Sequence, residues 1–175
     1  MFILAFVAAA AAFQAATPSR TLSATEAGQL AVQSLHSQVE TRRRINGWSN
    51  EQLQAELTRA VSGKTKLIFQ AGHGVYAEYT APDGNLRMWY PKNVNVVKGS
   101  WGVRVMRGKV RTCFSYRNAV NPVTQVYEPT ECILPDQTLS AANVLQSWDG
   151  DVFHLMDDKI PYPKDALDIP SPQVG

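Results

Sequence analysis

From Thr65 onward, the chain consists of short runs rich in β-branched and aromatic residues. Turn-forming stretches such as "APDGN" and "YPKN" separate consecutive runs. The predicted strands are, in chain order, "TKLIFQ", "GVYAEYT", "LRMWY", "VNVVK", "SWGVRVM", "KVRTCFSY" and "TQVYE". Because strands joined by short turns pair with their chain neighbours, the pattern predicts an antiparallel meander.

The hairpin of "WGVRVM" with "KVRTCF" has the best-defined register. A two-residue turn at Arg107 and Gly108 fixes which residues face each other across the two strands. One face then carries three mainly apolar pairs, which are Val105 with Val110, Val103 with Thr112, and Trp101 with Phe114. The same register places Arg104 opposite Arg111, a like-charge pair that weakens the hairpin slightly.

Two helices are predicted before the strands. Ser23 and Glu26 have the spacing of a capping box, as do Ser49 and Gln52. Arg42–Arg44 fall in the last turn of the first helix, where cations complement the negative end of the helix dipole. The arginine run is therefore explained without a nucleic-acid ligand, and no nucleic-acid partner is predicted.

After the meander, local signals predict a short helix in "SAANVLQ" and a hairpin turn at Asp149 and Gly150. The segment "DVFHLM" is then predicted to be the closing strand. Residues 161–175 are rich in proline and poor in apolar residues, which is typical of an irregular tail.

The first sixteen residues, "MFILAFVAAAAAFQAA", carry no charged side chain and form too short a run to cross a bilayer. This pattern predicts a signal peptide at 1–16, with a buried or membrane-anchoring helix as the alternative. The remaining predicted parts are a helical segment at 17–47, a helix plus antiparallel β domain at 48–160, and the tail. We therefore expect a periplasmic or secreted protein with no transmembrane span after cleavage of the signal peptide.

Cys113 and Cys132 are the chain's two cysteines, and an oxidising compartment favours a disulfide between them. A loop of that length makes the bond worth about 3 kcal/mol. A metal site is not predicted, since the histidines have no pair at ligand spacing. The alternative is a cysteine-dependent hydrolase, in which Cys113 acts with His73 or His154.

Charge is distributed unevenly along the chain, although the formal net charge is only +2. No acidic residue occurs between Gly84 and Tyr127. The basic residues in that stretch are Arg87, Lys92, Lys98, Arg104, Arg107, Lys109, Arg111 and Arg117. One face of the sheet is therefore expected to be basic.

Several segments together resemble a group of small exported domains of unknown function from Gram-negative bacteria. They are "ELTRAVSGKT", "YAEYTAPDGNLRMWY", "GSWGVRVMRGKVRTCFSY", the second cysteine and "GDVFHL". The resemblance covers Trp48 to Leu155 and implies a small lipocalin-like sheet or barrel preceded by a helix. It implies no catalytic residues, and residues 137–150 look like an insertion relative to that group.

The sequence thus predicts an α+β fold, mainly β, with two N-terminal helices packed on an antiparallel meander sheet or small lipocalin-like barrel. If Val75, Ala77 and Tyr79 of the strand "GVYAEYT" face the core, alternation turns Tyr76 and Glu78 outward. The candidate ligand-binding residues on that outward face are Tyr76, Arg87, Trp89, Arg104, Arg111 and Arg117. The alternative interpretation is a solvated face whose aromatic residues are covered by the helices.

The predicted function is a noncatalytic periplasmic or envelope-associated binding protein that uses no cofactor. Its expected partner is an anionic envelope component, because arginines and aromatic rings bind acidic polymers by charge and stacking. A protein inhibitor or structural partner of another protein is a further alternative, in addition to the hydrolase.

Overall fold

The computed structural model describes residues 24–70, 74–89, 93–121 and 124–160. Three helices and seven strands are found there, followed by a turn of 3-10 helix at Leu155–Asp157. The helices are α1 (Ala24–Arg44), α2 (Asn50–Val61) and α3 (Pro135–Ser140). The strands are β1 (Lys64–Gln70), β2 (Gly74–Thr80), β3 (Asn85–Trp89), β4 (Val97–Met106), β5 (Lys109–Arg117), β6 (Thr130–Ile133) and β7 (Val144–Asp149).

The strands form one antiparallel sheet in the order β6-β5-β4-β3-β2-β1-β7, curled into a half-barrel. The first six strands are a meander, as predicted, while β7 returns to pair with β1 at the opposite edge. Helix α3 connects the two edge strands and packs against β5. The predicted α+β class with helices packed on an antiparallel sheet is confirmed.

The β4–β5 hairpin has the predicted register throughout, including Arg104 opposite Arg111. Its turn residues, Arg107 and Gly108, both have positive φ angles, of 50° and 74°. This is the combination that matches the right-handed twist of two strands joined by a two-residue turn.

The sheet is buried on both faces over much of its area. On the inner face, which we define as the face that carries Leu86 and Trp101, Val61 of α2 packs against both of these side chains. On the outer face, which carries Tyr79 and Trp89, residues 151–160 cover the central strands, chiefly through Phe153 and Leu155. A sheet covered on both sides has few positions where an unpaired polar side chain is tolerated.

The helices dock through capping groups and polar contacts. Ser49 and Gln52 form the predicted capping box at the start of α2. Arg42 of α1 donates from Nε and Nη2 to the buried carboxylate of Asp136 in α3, at 2.8 Å and 2.6 Å. Arg42 therefore has a structural role, since it ties α1 to α3.

Four predictions about local structure are wrong. The segment "VNVVK" is not a separate strand, because β4 begins at Val97 and continues through "SWGVRVM". The segment "TQVYE" makes only an isolated bridge, between Val120 and Tyr127, and is not a strand. The predicted helix in "SAANVLQ" is displaced, because α3 ends at Ser140 and Val144–Asp149 is a strand paired with β1. The predicted strand "DVFHLM" is a turn followed by 3-10 helix.

The Asp151 carboxylate explains that last difference. It accepts hydrogen bonds from the backbone N–H groups of Leu155 and Met156, at 2.9 Å and 2.8 Å. In a β-strand these two N–H groups would need acceptors on a neighbouring strand, whereas here the carboxylate satisfies both of them. The segment is therefore folded back over the outer face, where Phe153 and Leu155 are buried.

No helix among the described residues is long and apolar enough to cross a membrane. The predicted signal peptide at 1–16, the Ser23 cap, His73 and the predicted tail at 161–175 lie outside the described residues.

Candidate functional site

The β4–β5 hairpin concentrates positive charge near its turn. We call residues 104–111 the basic hairpin, because they contain Arg104, Arg107, Lys109 and Arg111 and no acidic residue. Arg104, Arg107 and Lys109 are exposed, and Arg111 is half-buried with its Nη1 3.4 Å from the carbonyl oxygen of Cys132. Within the described residues, none of these four side chains forms an ion pair with a carboxylate.

Two apolar side chains, Val105 and Met106, are also exposed in the basic hairpin. Val105 pairs with Val110 across the hairpin, but Val110 is buried whereas Val105 is exposed. The inner face of the sheet is therefore covered at Val110 and open to solvent at Val105. Met106 shares the outer face with Arg104 and Arg111, whereas Val105 lies on the inner face, so apolar surface is exposed on both sides of the hairpin end.

A second basic row crosses the outer face of the sheet, where Arg87, Lys98 and Arg117 lie opposite one another on β3, β4 and β5. Asp158 neutralises part of this row, since its carboxylate is 2.5 Å from Nζ of Lys98 and 3.4 Å from Nε of Arg87. The hydrogen bond from Lys98 is the main reason that the pKa of Asp158 is lowered. Arg87 is thus largely committed to structure, whereas Arg117 is exposed.

The two aromatic candidates are not on an exposed surface, so the expectation that they face outward to solvent is wrong. Trp89 does lie on the same face as the arginines, but residues 151–160 bury it completely, and its Nε1 donates to the carbonyl oxygen of Asn93 at 3.1 Å. Tyr76 points to the inner face and is only 8% exposed. The structure therefore does not bring all six candidates together, although Arg104, Arg111 and Arg117 share the outer face.

The cysteine pair lies on the outer face, where Cys113 and Cys132 face each other across β5 and β6 with their sulfur atoms at disulfide distance. In this state Cys113 is not a thiol nucleophile. His154, the described one of its two proposed partners, is exposed in a turn beyond β7. No group of three or more potential metal ligands occurs in the described part of the chain.

A polar group outside the six predicted candidates lies inside the half-barrel. Glu78 is 5% exposed on the inner face of β2, and the hydroxyl of Tyr116 on β5 donates to its Oε2 at 2.8 Å. Lys66 faces Glu78 across the β1–β2 pair, while Tyr76 and Glu131 lie on the same face. The centre of the half-barrel therefore holds a carboxylate hydrogen-bonded to a tyrosine.

Burial governs the titration of this group. It raises the pKa of Glu78 to about 7, against smaller lowering effects of the Tyr116 hydrogen bond and the charge of Lys66. Burial likewise lowers the pKa of Lys66, although the nearby Glu78 charge opposes this. The pKa values of Tyr76 and Tyr116 are raised well above their ordinary range, also mainly by burial.

Two adjoining cavities, of about 330 Å³ and 150 Å³, surround these side chains. Gln70, Tyr76, Tyr116 and Glu131 line both cavities, so the two chambers share a wall of polar groups. Lys66 and Glu78 line the smaller, inner chamber, which α3 helps to enclose. The larger chamber lies towards residues 119–121 and 124–130, and Met88, Val126 and Pro129 form part of its wall.

One signal in the sequence could have revealed the inner site. Both alternating sets of residues in "GVYAEYT" contain apolar or aromatic side chains, which is typical of a strand buried on two faces. Glu78 in the middle of such a strand is then a buried carboxylate, a group that needs a partner or a function.

Comparisons with known proteins give no match to a protein family, to a curated protein or to a solved structure. The resemblance to small exported domains of unknown function therefore stays a prediction.

Proposed function

We propose that this protein is a noncatalytic binding protein of the periplasm or cell envelope, and that its basic hairpin binds an anionic envelope component. The observation that supports this proposal most directly is the group of four cationic side chains within residues 104–111, with no carboxylate paired to them in the described residues.

The cost of keeping these charges together favours an anionic partner. Arg104 and Arg111 face each other directly, and like charges in that position destabilise a strand pair. A bound anion relieves this repulsion, so part of the repulsion energy is returned as affinity. An extracytoplasmic location agrees with the predicted signal peptide and with the cysteine pair at disulfide distance.

Exposed Val105 and Met106 favour a lipid among the anionic components of an envelope. A phosphorylated lipid headgroup presents negative charge next to acyl chains, which matches Met106 exposed beside Arg104 and Arg111 on one face and Val105 exposed on the other face of the hairpin end. A soluble acidic glycan would use the cations but would leave Val105 and Met106 in water.

Vesicle co-sedimentation tests the proposal. Phosphatidylcholine vesicles with added phosphatidylglycerol should retain the protein at low salt and release it at high salt, and pure phosphatidylcholine vesicles should not retain it. The double substitution Arg104→Gln and Arg111→Gln should lower the affinity about thirtyfold, since each cation near an anionic surface contributes about 1 kcal/mol.

The matched control is Arg43→Gln with Arg44→Gln, which removes the same charge from exposed positions at the end of α1. It should leave retention nearly unchanged. Equal loss in both double variants would mean that only net charge matters and would remove the basic hairpin as the site. Retention by a soluble acidic polysaccharide but not by the vesicles would reassign the anion to a glycan.

A second candidate function, as a structural partner of another protein, is favoured by one observation. Val32, Leu35 and Val39 form an exposed apolar stripe along α1. If α1 docks on another chain, Leu35→Gln should abolish co-purification of that chain and leave vesicle retention unchanged.

A further inference from the structure

We propose that the inside of the half-barrel is a second binding site, separate from the basic hairpin, for a small organic cation that pairs with the carboxylate of Glu78. A protonated amine with a short apolar body is the ligand class that the residues around the cavity fit.

Glu78 is the group that requires an explanation. The residue is only 5% exposed, and its carboxylate borders the inner chamber. The Tyr116 hydroxyl donates to Oε2, but this bond and the charge of Lys66 together do not offset the effect of burial, since the pKa of Glu78 stays raised. A buried carboxylate that is only partly compensated costs stability unless a further positive or donating group reaches it.

The charges around Glu78 favour a cation over an anion. The ionisable groups that face the inner chamber are Lys66 from β1, Tyr76 from β2, Tyr116 from β5 and Glu131 from β6. The two tyrosines are neutral over the ordinary pH range, because burial raises their pKa values. The carboxylates of Glu78 and Glu131 therefore face one ammonium group, that of Lys66. Burial also lowers the pKa of Lys66, so its positive charge is less favoured there than in water.

The side chains that line the two chambers indicate the shape and polarity of the rest of the ligand. Ile68, Phe114 and Ile133 line the inner chamber and offer apolar contact close to Glu78. The rings of Tyr76 and Tyr116 border both chambers, and aromatic faces attract cations as well as apolar groups. The inner volume of about 150 Å³ limits the inserted part of the ligand to a few carbon atoms.

Nuclear magnetic resonance titration with three isosteric probes tests the proposal, using the full chain at a pH above the pKa of Glu78, which is about 7. n-Butylammonium should shift the resonances of β1, β2 and β5, while n-butanol and butyrate should not at the same concentration. Glu78→Gln should weaken n-butylammonium binding by about tenfold or more, because the amide lacks the charge.

Two further variants separate charge from shape. Lys66→Met removes the one ammonium group that opposes the ligand and should strengthen n-butylammonium binding. Glu40→Gln on α1, an exposed residue away from the cavity, is the matched control and should change nothing. Glu78→Gln can be checked for correct folding by its spectrum without probe, so loss of binding and loss of fold are distinguishable.

Equal binding of n-butanol and n-butylammonium would show an apolar hole without charge recognition and would overturn the proposal. Stronger binding of butyrate than of n-butylammonium, or weaker n-butylammonium binding in Lys66→Met, would show that the cavity prefers an anion and would also overturn the proposal. Arg104 and Arg111 do not line either cavity, so their substitution should leave the n-butylammonium titration unchanged. If the amine probes do not bind, the proposal of a cation site fails, but the proposed anion binding by the basic hairpin is not affected.

Discussion

At the scale of single residues, Gly99 occupies a position in β4 where the neighbouring strand leaves no room for a side chain. A Cβ atom added there would lie 2.3 Å from the carbonyl oxygen of Ser115 and 2.7 Å from Cδ2 of Leu86. Since the first neighbour is backbone, only a shift of β4 against β5 could make room for a methyl group.

We therefore expect Gly99→Ala to lower the free energy of unfolding by about 2 kcal/mol, and Tm by about 6 °C. Gly102→Ala on the same strand is the control, because its added Cβ would meet no atom within 4 Å. Thermal unfolding followed by circular dichroism measures both variants. Equal Tm values would mean that the tight contact at Gly99 does not exist in solution.

The burial of individual side chains on β2 is the feature that the sequence predicts least well. Alternation in "GVYAEYT" correctly separates Tyr76 and Glu78 from Val75, Ala77 and Tyr79. It does not say which face is covered, and here both faces are buried by segments distant in the chain. Tyr76 and Glu78 were therefore predicted to be exposed, although they lie inside the half-barrel.

At the scale of elements, the turn of the basic hairpin holds an unfavourable residue. Arg107 has a φ angle of 50°, a left-handed conformation that costs a side chain with a Cβ about 1 kcal/mol and that asparagine tolerates better. An asparagine at this position would suit the two-residue turn but would remove one of the four cations of the basic hairpin.

Arg107→Asn should therefore raise stability and weaken anion binding together. We expect Tm to rise by about 2 °C, from a gain of somewhat under 1 kcal/mol, and vesicle affinity to fall about fivefold. Arg107→Lys, which keeps the charge and the strain, should change neither property much. Higher affinity in Arg107→Asn than in the wild type would contradict a role of this side chain in binding.

Elements with strong local signals were predicted well, and elements defined by distant partners were not. The capping box at Ser49 and the turn at Arg107 and Gly108 depend on neighbours within a few residues, and both are confirmed. Residues 144–149 form a strand because β1 offers an unpaired edge, a partner far away in the sequence. The Asp149–Gly150 signal marks the end of that strand correctly but leads into a turn held by Asp151, not into another strand.

At the scale of the whole molecule, the curled sheet explains how the carboxylate of Glu78 comes to lie inside the half-barrel. Residues 151–160 cover the outer face of the central strands, and α2 and α3 cover part of the inner face, so Glu78 is only 5% exposed. The sequence predicts the antiparallel sheet and its outer charges. It does not predict the inner site, because enclosure depends on the curl of the sheet and on α3 connecting its two edges.

That enclosure makes the stability of the protein depend on pH through Glu78. Its pKa rises from 4.5 in a free chain to about 7 in the fold, so the folded state binds more protons between these values. Stability must then fall as pH rises through this window, because folding is penalised once the buried group has to ionise. The difference between the two pKa values corresponds to about 3 kcal/mol at most.

Glu78→Gln isolates this effect, because glutamine keeps the shape of the side chain and does not ionise. Urea unfolding of the wild type and the variant at a series of pH values should give a stability difference that shifts in favour of the variant between pH 4.5 and about 7 and is constant outside that window. Groups whose pKa does not depend on the charge of Glu78 are present in both proteins and cancel in the difference. Parallel curves for the two proteins would mean that Glu78 reaches water in the folded state. A saturating n-butylammonium ligand should reduce the wild-type loss above pH 7, since it stabilises the ionised carboxylate in the fold.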